Sequence, residues 1–142
     1  MKQVDPTIQV DPTIEEVLKQ ARTIAVVGLS ANPTRPSHQV SQYMQSHGYR
    51  IIPVNPKYSR VLNEPCYARL SDIPGGTTVD IVNIFRRPEA IPPIVDEAIL
   101  IQAKGIWMQE GIVNIEAAEK ARHAGLWVIM DRCIFRDHSR YV

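Results

Sequence analysis

The sequence predicts an α/β domain built on a doubly wound, mostly parallel sheet. The first observation is that short apolar runs of strand length alternate with helical patterns four or five times along the chain. The second is that the connections are short, so that helices join successive strands and make them parallel. The third is that the strands are almost wholly apolar, as expected of strands that helices cover on both faces.

The predicted elements follow one another in a regular order, and local signals mark their ends. The strands are predicted at residues 24–29, 49–54, 79–85, 105–108 and 126–130. Thr13 and Glu16 fit a capping box for a first helix that ends at residue 21. Three further helices are predicted at residues 36–47, 91–103 and 114–124. Pro36 suits the first turn of its helix, and Asn114 caps the last of the three.

The remaining segments are predicted to be irregular. Residues 61–72 should hold a short strand or turn and a single helical turn near Ala68, and residues 131–142 a polar tail. The chain also contains a six-residue duplication, since Gln3–Ile8 is repeated as Gln9–Ile14. Such a repeat is too short to be a structural unit, so residues 1–12 are predicted to be a flexible tail. The whole chain, residues 1–142, then forms a single Rossmann-like domain.

Composition narrows the classes of function. A net charge of +1 and 44% hydrophobic residues indicate a globular protein and no binding to nucleic acid. No apolar run reaches the roughly 18 residues of a membrane span, and no signal peptide is visible at the N-terminus. Cys66 and Cys133 are too few and too far apart for a disulfide framework or a zinc site. We therefore predict no metal, no membrane contact and a cytoplasmic setting.

In doubly wound sheets, ligands bind beyond the carboxyl ends of the strands, and the loop after the first strand is the first candidate. This loop follows Gly28 and offers Ser30, Arg35 and Ser37 in place of further glycines. Hydroxyl groups, a guanidinium and the start of a helix suit a diphosphate. The alternative is that Ser37 only caps the helix and that Arg35 is a solvated loop residue.

The end of the second strand separates the common nucleotide ligands. NAD sites place a carboxylate there to hold the ribose 2′-hydroxyl, whereas this chain has Asn55 and Lys57. A lysine favours a ribose that carries a phosphate, as in NADP and coenzyme A. The alternative is that Lys57 is an ordinary surface lysine.

Later strand ends supply further candidates. Phe85 could lie against an adenine or a ligand chain, with Arg86 over the pyrophosphate, or the pair could be a core aromatic and a solvated arginine. Gln109, polar and just past the fourth strand, is a candidate ligand, whereas Trp107 is assigned to the core. Cys133 follows the last strand, where Arg132 could stabilise its thiolate for a mixed disulfide with a thiol cofactor; a buried, inert cysteine is the alternative.

Five segments together resemble the small stand-alone CoA-binding protein family, which is similar to the N-terminal domain of the succinyl-CoA synthetase α subunit. They are V-G-L-S-A-N-P-T-R-P-S, Y-R-I-I-P-V-N-P-K, V-D-I-V-N-I-F-R-R-P-E, G-I-W-M-Q-E-G-I and A-G-L-W-V-I-M-D-R-C. The resemblance implies a Rossmann-type CoA-binding fold. It also implies a phosphate loop lined by Gly28, Leu29, Ser30, Arg35 and Ser37. Asn55 and Lys57 would then approach the adenosine, and Ile84, Phe85 and Arg86 would flank the rest of the cofactor.

The expected function is binding of coenzyme A or an acyl-CoA without evident catalytic residues. The synthetase forms a phosphohistidine in a second domain that these residues do not include, so its activity is not carried over. An NADP-dependent oxidoreductase or NADP sensor is the first alternative, with His38 as the candidate acid–base residue. A subunit that presents acyl-CoA to a partner protein is the second, and a homo-oligomer is compatible with either.

Overall fold

The computed structural model describes residues 11–142 and contains a five-stranded parallel sheet. In chain order its strands are β1 (Thr23–Val27), β2 (Arg50–Val54), β5 (Ile81–Ile84), β6 (Gly105–Met108) and β7 (Trp127–Ile129). Their spatial order is β2-β1-β5-β6-β7. A separate antiparallel hairpin is formed by β3 (Arg60–Val61) and β4 (Glu64–Pro65). The predicted doubly wound α/β fold is confirmed.

Helices cover both faces of the sheet. They are α1 (Ile14–Gln20), α2 (Pro36–Ser46), α3 (Ile91–Leu100), α4 (Ile115–His123) and α5 (Ile134–Tyr141). The buried side chains of α1, α2 and α5 pack on one face, and those of α3 and α4 pack on the other. Within the described residues, none of these helices has the length and apolar character needed to cross a bilayer.

Strand β1 shows how the sheet divides the core into two layers. Ile24 and Val26 point into the layer under α1, α2 and α5, whereas Ala25 and Val27 point into the layer under α3 and α4. All four side chains are buried, because successive residues of a strand face opposite sides and both sides are covered. The same division places Trp107 of β6, which is fully buried, in the layer under α5. The predicted core role of Trp107 is confirmed.

The prediction of a polar tail at residues 131–142 is wrong, because most of this segment forms α5. Ile134 is fully buried, and the next two inward positions of the helix are Asp137 and His138. The carboxylate of Asp137 accepts two hydrogen bonds from Arg132, and His138 bonds to the hydroxyl of Tyr43. Hydrogen-bonded polar side chains thus occupy the inward face of α5. The apolar pattern that predicts a helix from sequence is therefore missing.

The structure places the short elements of residues 61–72 somewhat differently from the prediction. The predicted helical turn near Ala68 lies two residues later, as a 3-10 turn at Leu70–Asp72. Hairpin β3–β4 turns at Leu62 and Asn63, whose φ angles are 52° and 66°. These left-handed values at two consecutive residues are those of a type I′ turn, which matches the twist of a two-residue hairpin.

The first copy of the duplicated hexapeptide lies outside the described residues, as does the predicted flexible tail up to residue 10. Of the second copy, residues 11–14 are described, and they are bonded to the rest of the domain. Thr13 and Glu16 form the predicted capping box, with backbone-to-side-chain bonds of 3.2 and 3.3 Å. Asp11 accepts hydrogen bonds from the Arg122 guanidinium at 2.9 Å and from the backbone N–H of Val128 in β7 at 3.1 Å.

Candidate ligand-binding site

The strand order reverses direction between β1 and β5, so the loops after these two strands diverge and leave a crevice. Gly28 follows β1 with φ of +88°, and a Cβ at this position would lie 2.6 Å from the carbonyl oxygen of Phe85. Any side chain would therefore collide with the backbone after β5. The N–H of Gly28 also donates to the carbonyl of Val54 in β2 at 2.9 Å. Gly28 thus brings three strand ends together at the crevice.

The loop at residues 28–37 is held in shape by its own side chains. The hydroxyl of Ser37 accepts a hydrogen bond from the N–H of Ser30 at 3.0 Å, and the hydroxyl of Ser30 accepts one from Asn32 at 3.0 Å. His38 is buried, and its Nδ1 donates to the carbonyl of Ser30 at 2.9 Å. These bonds are internal to the loop and its helix, and a loop that is already ordered loses less conformational entropy when it binds a ligand.

Helix α2 begins at this loop without a side-chain cap. Its N-cap residue is Arg35, whose side chain makes no capping bond, and Pro36 occupies the first helical position. Ser37 is therefore not the cap that one interpretation of the sequence proposed. The N–H of Ser37 belongs to the first turn, where backbone donors have no acceptor inside the helix. The positive end of the helix dipole consequently faces the loop without an anionic side chain to offset it.

Asn55 joins the end of β2 to the loop. Its side-chain nitrogen donates to the carbonyl of Leu29 at 3.1 Å, and its side-chain oxygen accepts from the N–H of Lys57 at 3.0 Å. The thiol of Cys66 donates to the carbonyl of Asn55 at 3.4 Å, and burial raises the pKa of this thiol, so that it stays protonated as a donor. Asn55 therefore fixes both the loop after β1 and the backbone that carries Lys57.

These elements enclose an open cavity of about 370 Å³, within the range of small-molecule sites. Seven of the predicted site residues line it, together with two that sequence analysis missed: Gly28, Ser30, Arg35, Pro36, Ser37, Asn55, Lys57, Tyr58 and Phe85. The missed residues are Pro36 and Tyr58. Pro36 directly follows Arg35, and Tyr58 directly follows Lys57. This adjacency to predicted residues is the sequence feature from which both could have been included in the site.

The cavity is positively charged, and none of the described residues that line it is acidic. Arg35 and Lys57 are exposed, and neither forms an ion pair within residues 11–142. Arg86 is also exposed and unpaired in the same part of the chain, and its Cδ lies 3.0 Å from where a Cβ of Gly28 would stand. Three cations thus surround the crevice without a carboxylate to neutralise them, as expected where an anion binds.

Four predicted site residues do not line the cavity: Arg86, which lies beside Gly28 as described above, and Leu29, Ile84 and Gln109. The side chains of Leu29 and Ile84 are fully buried in opposite layers of the core, so only their backbone can face a ligand. Gln109 is 5% exposed, and its side-chain oxygen accepts a hydrogen bond from the N–H of Ile134 at 3.0 Å. The side chain of Gln109 therefore caps α5.

Arg132 and Cys133 lie at the other end of the carboxyl edge. Arg132 donates to both carboxylate oxygens of Asp137, at 2.8 and 2.7 Å. These hydrogen bonds raise the pKa of the Arg132 guanidinium above its usual range despite partial burial. The guanidinium is thus held by Asp137, which argues against its predicted role beside the Cys133 thiol. Cys133 itself is half-buried and lines a second cavity of about 280 Å³.

Comparison with known proteins identifies the family. A family model described as a CoA binding domain matches residues 22–139. The chain belongs to the CoA-binding domain family. This membership supports CoA binding in general, and the match covers the five segments on which the resemblance was based.

Relatives of this CoA-binding domain include small proteins and parts of larger enzymes. It is 44% identical over 126 residues to the uncharacterized protein YneT of Bacillus subtilis, covering 89% of this chain and 92% of that protein. A hypothetical protein from Pyrococcus horikoshii has a solved structure with a TM-score of 0.87, 38% identity and 99% coverage of both chains.

Two larger enzymes contain a similar unit. The chain is 25% identical over 129 residues to the ADP-forming acetate–CoA ligase I of Archaeoglobus fulgidus, but this match spans 18% of that protein. The dinucleotide-forming acetyl-coenzyme A synthetase 1 of Ca. Korarchaeum cryptofilum shares the fold, with a TM-score of 0.71 and 22% identity over 84% of this chain and 28% of the synthetase. The same unit thus occurs both as a small protein and as one part of a larger chain.

Proposed function

We propose that this protein binds coenzyme A or an acyl-CoA in the crevice after β1, and that it does so without catalysing a reaction. The observation that supports this most strongly is the cluster of Arg35, Lys57 and Arg86 around a cavity with no carboxylate. Coenzyme A carries a diphosphate and a ribose 3′-phosphate, so its anionic groups match such a cluster. Family membership favours this ligand over NADP, which remains the competing candidate.

The diphosphate is assigned to the loop at residues 28–37. Arg35 can donate two parallel hydrogen bonds to phosphate oxygens, and the N–H of Ser37 lies at the positive end of α2. The hydroxyl of Ser30 accepts a bond from Asn32 and keeps its own proton to donate. Because Gly28 has no side chain, the ligand can approach the backbone of this loop closely.

The 3′-phosphate is assigned to Lys57 and the adenine to the neighbourhood of Phe85. Lys57 follows Asn55 at the end of β2, two residues past the position that side-chain hydrogen bonds fix. Phe85 is half-buried and lines the cavity, so one part of its ring is available to a base or to the pantetheine chain. Arg86 stands beside Gly28 and extends the positive surface toward the pyrophosphate.

The non-catalytic part of the proposal is supported by the histidine nearest the site. His38 is buried, and its Nδ1 donates to the carbonyl of Ser30, so this nitrogen serves the shape of the loop. His47 and His123 bond in the same way to backbone carbonyls near the ends of α2 and α4. A role in presenting acyl-CoA to a partner, in a cytoplasmic setting, is compatible with this binding function.

Calorimetric titration with coenzyme A, dephospho-coenzyme A and NADP tests the proposal. We expect coenzyme A to bind more tightly than the other two ligands. In Lys57→Ala, affinity for coenzyme A should fall by about tenfold, or about 1.4 kcal/mol, while affinity for dephospho-coenzyme A stays the same. Arg50→Ala is the control, because Arg50 is exposed and lies at the opposite end of β2.

Three outcomes would contradict the proposal. Tenfold tighter binding of NADP would assign the site to that cofactor. Equal losses for coenzyme A and dephospho-coenzyme A in Lys57→Ala would remove this lysine from the 3′-phosphate. Turnover of an acyl-CoA by the purified protein, with loss of that turnover in His38→Gln, would overturn the non-catalytic assignment.

A further inference from the structure

Tyr58 lines the cavity of the proposed CoA site, but none of the phosphates is assigned to it. It directly follows Lys57 and is half-buried, and its side chain packs against the core layer under α1, α2 and α5. The core therefore supports the ring where it borders the cavity. A supported aromatic ring in a ligand cavity offers a flat apolar surface to a planar group.

The backbone that carries Tyr58 is fixed on both sides of this residue. Before it, the N–H of Asn55 donates to the carbonyl of Tyr67 at 2.8 Å. After it, the carbonyl of Ser59 accepts a hydrogen bond from the N–H of Cys66 at 2.9 Å. Both bonds tie the chain around Tyr58 to the segment that follows β4. A ring on a fixed backbone loses little conformational entropy when a ligand binds against it.

The covalent structure of coenzyme A brings its adenine to this side of the cavity. The ribose that carries the 3′-phosphate also carries the base, so a 3′-phosphate held by Lys57 places the base near the next residue, Tyr58. Phe85 lines the same cavity from the end of β5. Stacking on aromatic side chains is a common way for a protein to bind a base.

The loops after β6 and β7 offer less to the remainder of the ligand, because their polar side chains are already bonded. The amide oxygen of Gln109 accepts from the first turn of α5 at 3.0 Å. The guanidinium of Arg132 is bonded to Asp137, and that of Arg136 to Glu110. A hydrogen bond from these groups to the pantetheine arm would have to replace one that the protein already makes.

The size of the cavity agrees with this division of the ligand. Its volume of about 370 Å³ lies near the lower end of the range for small-molecule sites, about 300–1,000 Å³. Coenzyme A is a large ligand that consists of a nucleotide and a long pantetheine arm. The cavity suits one of these two parts, and its lining by Arg35, Ser37 and Lys57 suits the charged nucleotide.

We propose that the protein recognises coenzyme A by its 3′-phosphoadenosine diphosphate end, with the adenine against Tyr58, and leaves the thiol end outside the cavity. This inference rests on the proposed function and specifies the class of ligand. Every acyl-CoA carries the same nucleotide, so coenzyme A and its thioesters bind alike and the acyl group is not selected. The thiol or thioester of the bound ligand then stays exposed.

Calorimetric titration of the full-length protein with parts and derivatives of the ligand tests this inference. We expect adenosine 3′,5′-bisphosphate to bind within about tenfold of coenzyme A and to displace it, and 4′-phosphopantetheine to bind at least about a hundredfold more weakly. Acetyl-CoA and octanoyl-CoA should bind within about threefold of coenzyme A, because their acyl groups lie outside the cavity.

Substitution of Tyr58 tests the position of the base. Tyr58→Ala should lower the affinity for coenzyme A and for adenosine 3′,5′-bisphosphate by about tenfold each, because the base loses the ring on which it stacks. Tyr58→Phe keeps the ring and should restore both affinities. Tyr141→Ala is the matched control, because Tyr141 is 37% exposed and lies at the end of α5, outside the cavity. Circular dichroism checks the fold of each variant.

The outcomes separate this inference from the proposed function. Affinity that changes at least about tenfold with the acyl group would show that the thiol end is recognised, while coenzyme A binding itself would stand. The same holds if adenosine 3′,5′-bisphosphate fails to displace bound coenzyme A. Equal affinity for coenzyme A in the wild type and Tyr58→Ala would remove the base from this residue. If neither coenzyme A nor the bisphosphate bound, the proposed function would fail together with the inference.

Discussion

The two halves of the carboxyl edge of the sheet differ in whether their cationic side chains form ion pairs. In the open half, residues 28–37, 55–58 and 85–86, the side chains of Arg35, Lys57 and Arg86 have no acidic partner among the described residues 11–142. The closed half, residues 109–111 and 131–137, is also rich in arginine. There, however, Arg132 is paired with Asp137 and Arg136 with Glu110. We therefore assign the proposed ligand site to the half where the charges are unpaired, whereas the paired charges at the same edge hold α5 in place.

The largest expected effect comes from filling the open half at its narrowest point. Gly28→Ala places a methyl group 2.6 Å from the carbonyl oxygen of Phe85, in a backbone conformation with φ of +88°. The strained conformation alone should cost about 1–3 kcal/mol of unfolding free energy, and the collision adds to it. Binding of coenzyme A should also be lost, because the loops after β1 and β5 must separate. Denaturant unfolding and calorimetry measure the two effects.

Gly111→Ala is the control for this prediction. Gly111 has a similar φ of +84°, but no atom lies within 4 Å of the added methyl group. It therefore carries the backbone strain without the collision. If both variants lost the same stability and the same affinity, contact between the two loops would not explain the role of Gly28.

A smaller effect is expected from a substitution in the closed half, which should lower the unfolding free energy and leave the affinity for coenzyme A unchanged. Arg132→Ala leaves Asp137, which is 4% exposed, as a buried carboxylate without its partner. We expect a loss of about 1–3 kcal/mol of unfolding free energy, less than for a fully buried pair, because Arg132 is partly exposed. Affinity for coenzyme A should be unchanged in this variant.

Arg35→Ala should behave in the opposite way. Arg35 is exposed and makes no ion pair within residues 11–142, so its removal should leave the unfolding free energy the same within about 0.5 kcal/mol. Affinity for coenzyme A should fall by about tenfold. The contrast between the two halves would be wrong if Arg35→Ala destabilised the fold or if Arg132→Ala weakened binding.

The smallest expected effect is a pH dependence of the unfolding free energy. It arises at His138 of α5, directly after the closed half. Burial, followed by the charge of His47, lowers the pKa of His138 below its ordinary value of 6.5. The unfolded chain therefore binds a proton more readily than the folded one, so stability is full above about pH 6.5 and falls as the pH drops further. Denaturant unfolding measured between about pH 5 and pH 8 should show this loss, and His138→Gln should flatten it. A profile unchanged by that substitution would contradict the assignment.

The open half could be predicted from the sequence because one rule, the position of a residue at the end of a strand, identifies its members. Each follows an apolar strand directly, and parallel strands bring their carboxyl ends to the same edge. Gly28, Lys57 and Phe85 could thus be placed together although they are far apart in the chain. What the rule does not give is the direction of each side chain. Leu29 and Ile84 also lie at strand ends on this edge, yet both side chains enter the core.

The helix of the closed half could not be predicted from the sequence, because polar residues occupy positions of α5 that face the core. The inward positions of α5 are Ile134, Asp137 and His138, whose spacing is helical but whose composition resembles a surface. Their partners, Arg132 and Tyr43, become evident only in three dimensions. Gln109 misled for the same reason, since its bond to Ile134 joins residues 25 positions apart in the chain.

Asp11 has a consequence for the edge of the sheet. Within residues 11–142, strand β7 pairs only with β6, so its outer edge carries backbone groups of the kind that can recruit a further strand. The carboxylate of Asp11 occupies the Val128 N–H on that edge and is anchored there by Arg122. A charged group at an edge strand discourages sheet extension between chains. Asp11 thus belongs to the folded domain and covers one backbone donor of its edge strand, although it lies twelve residues before the first strand.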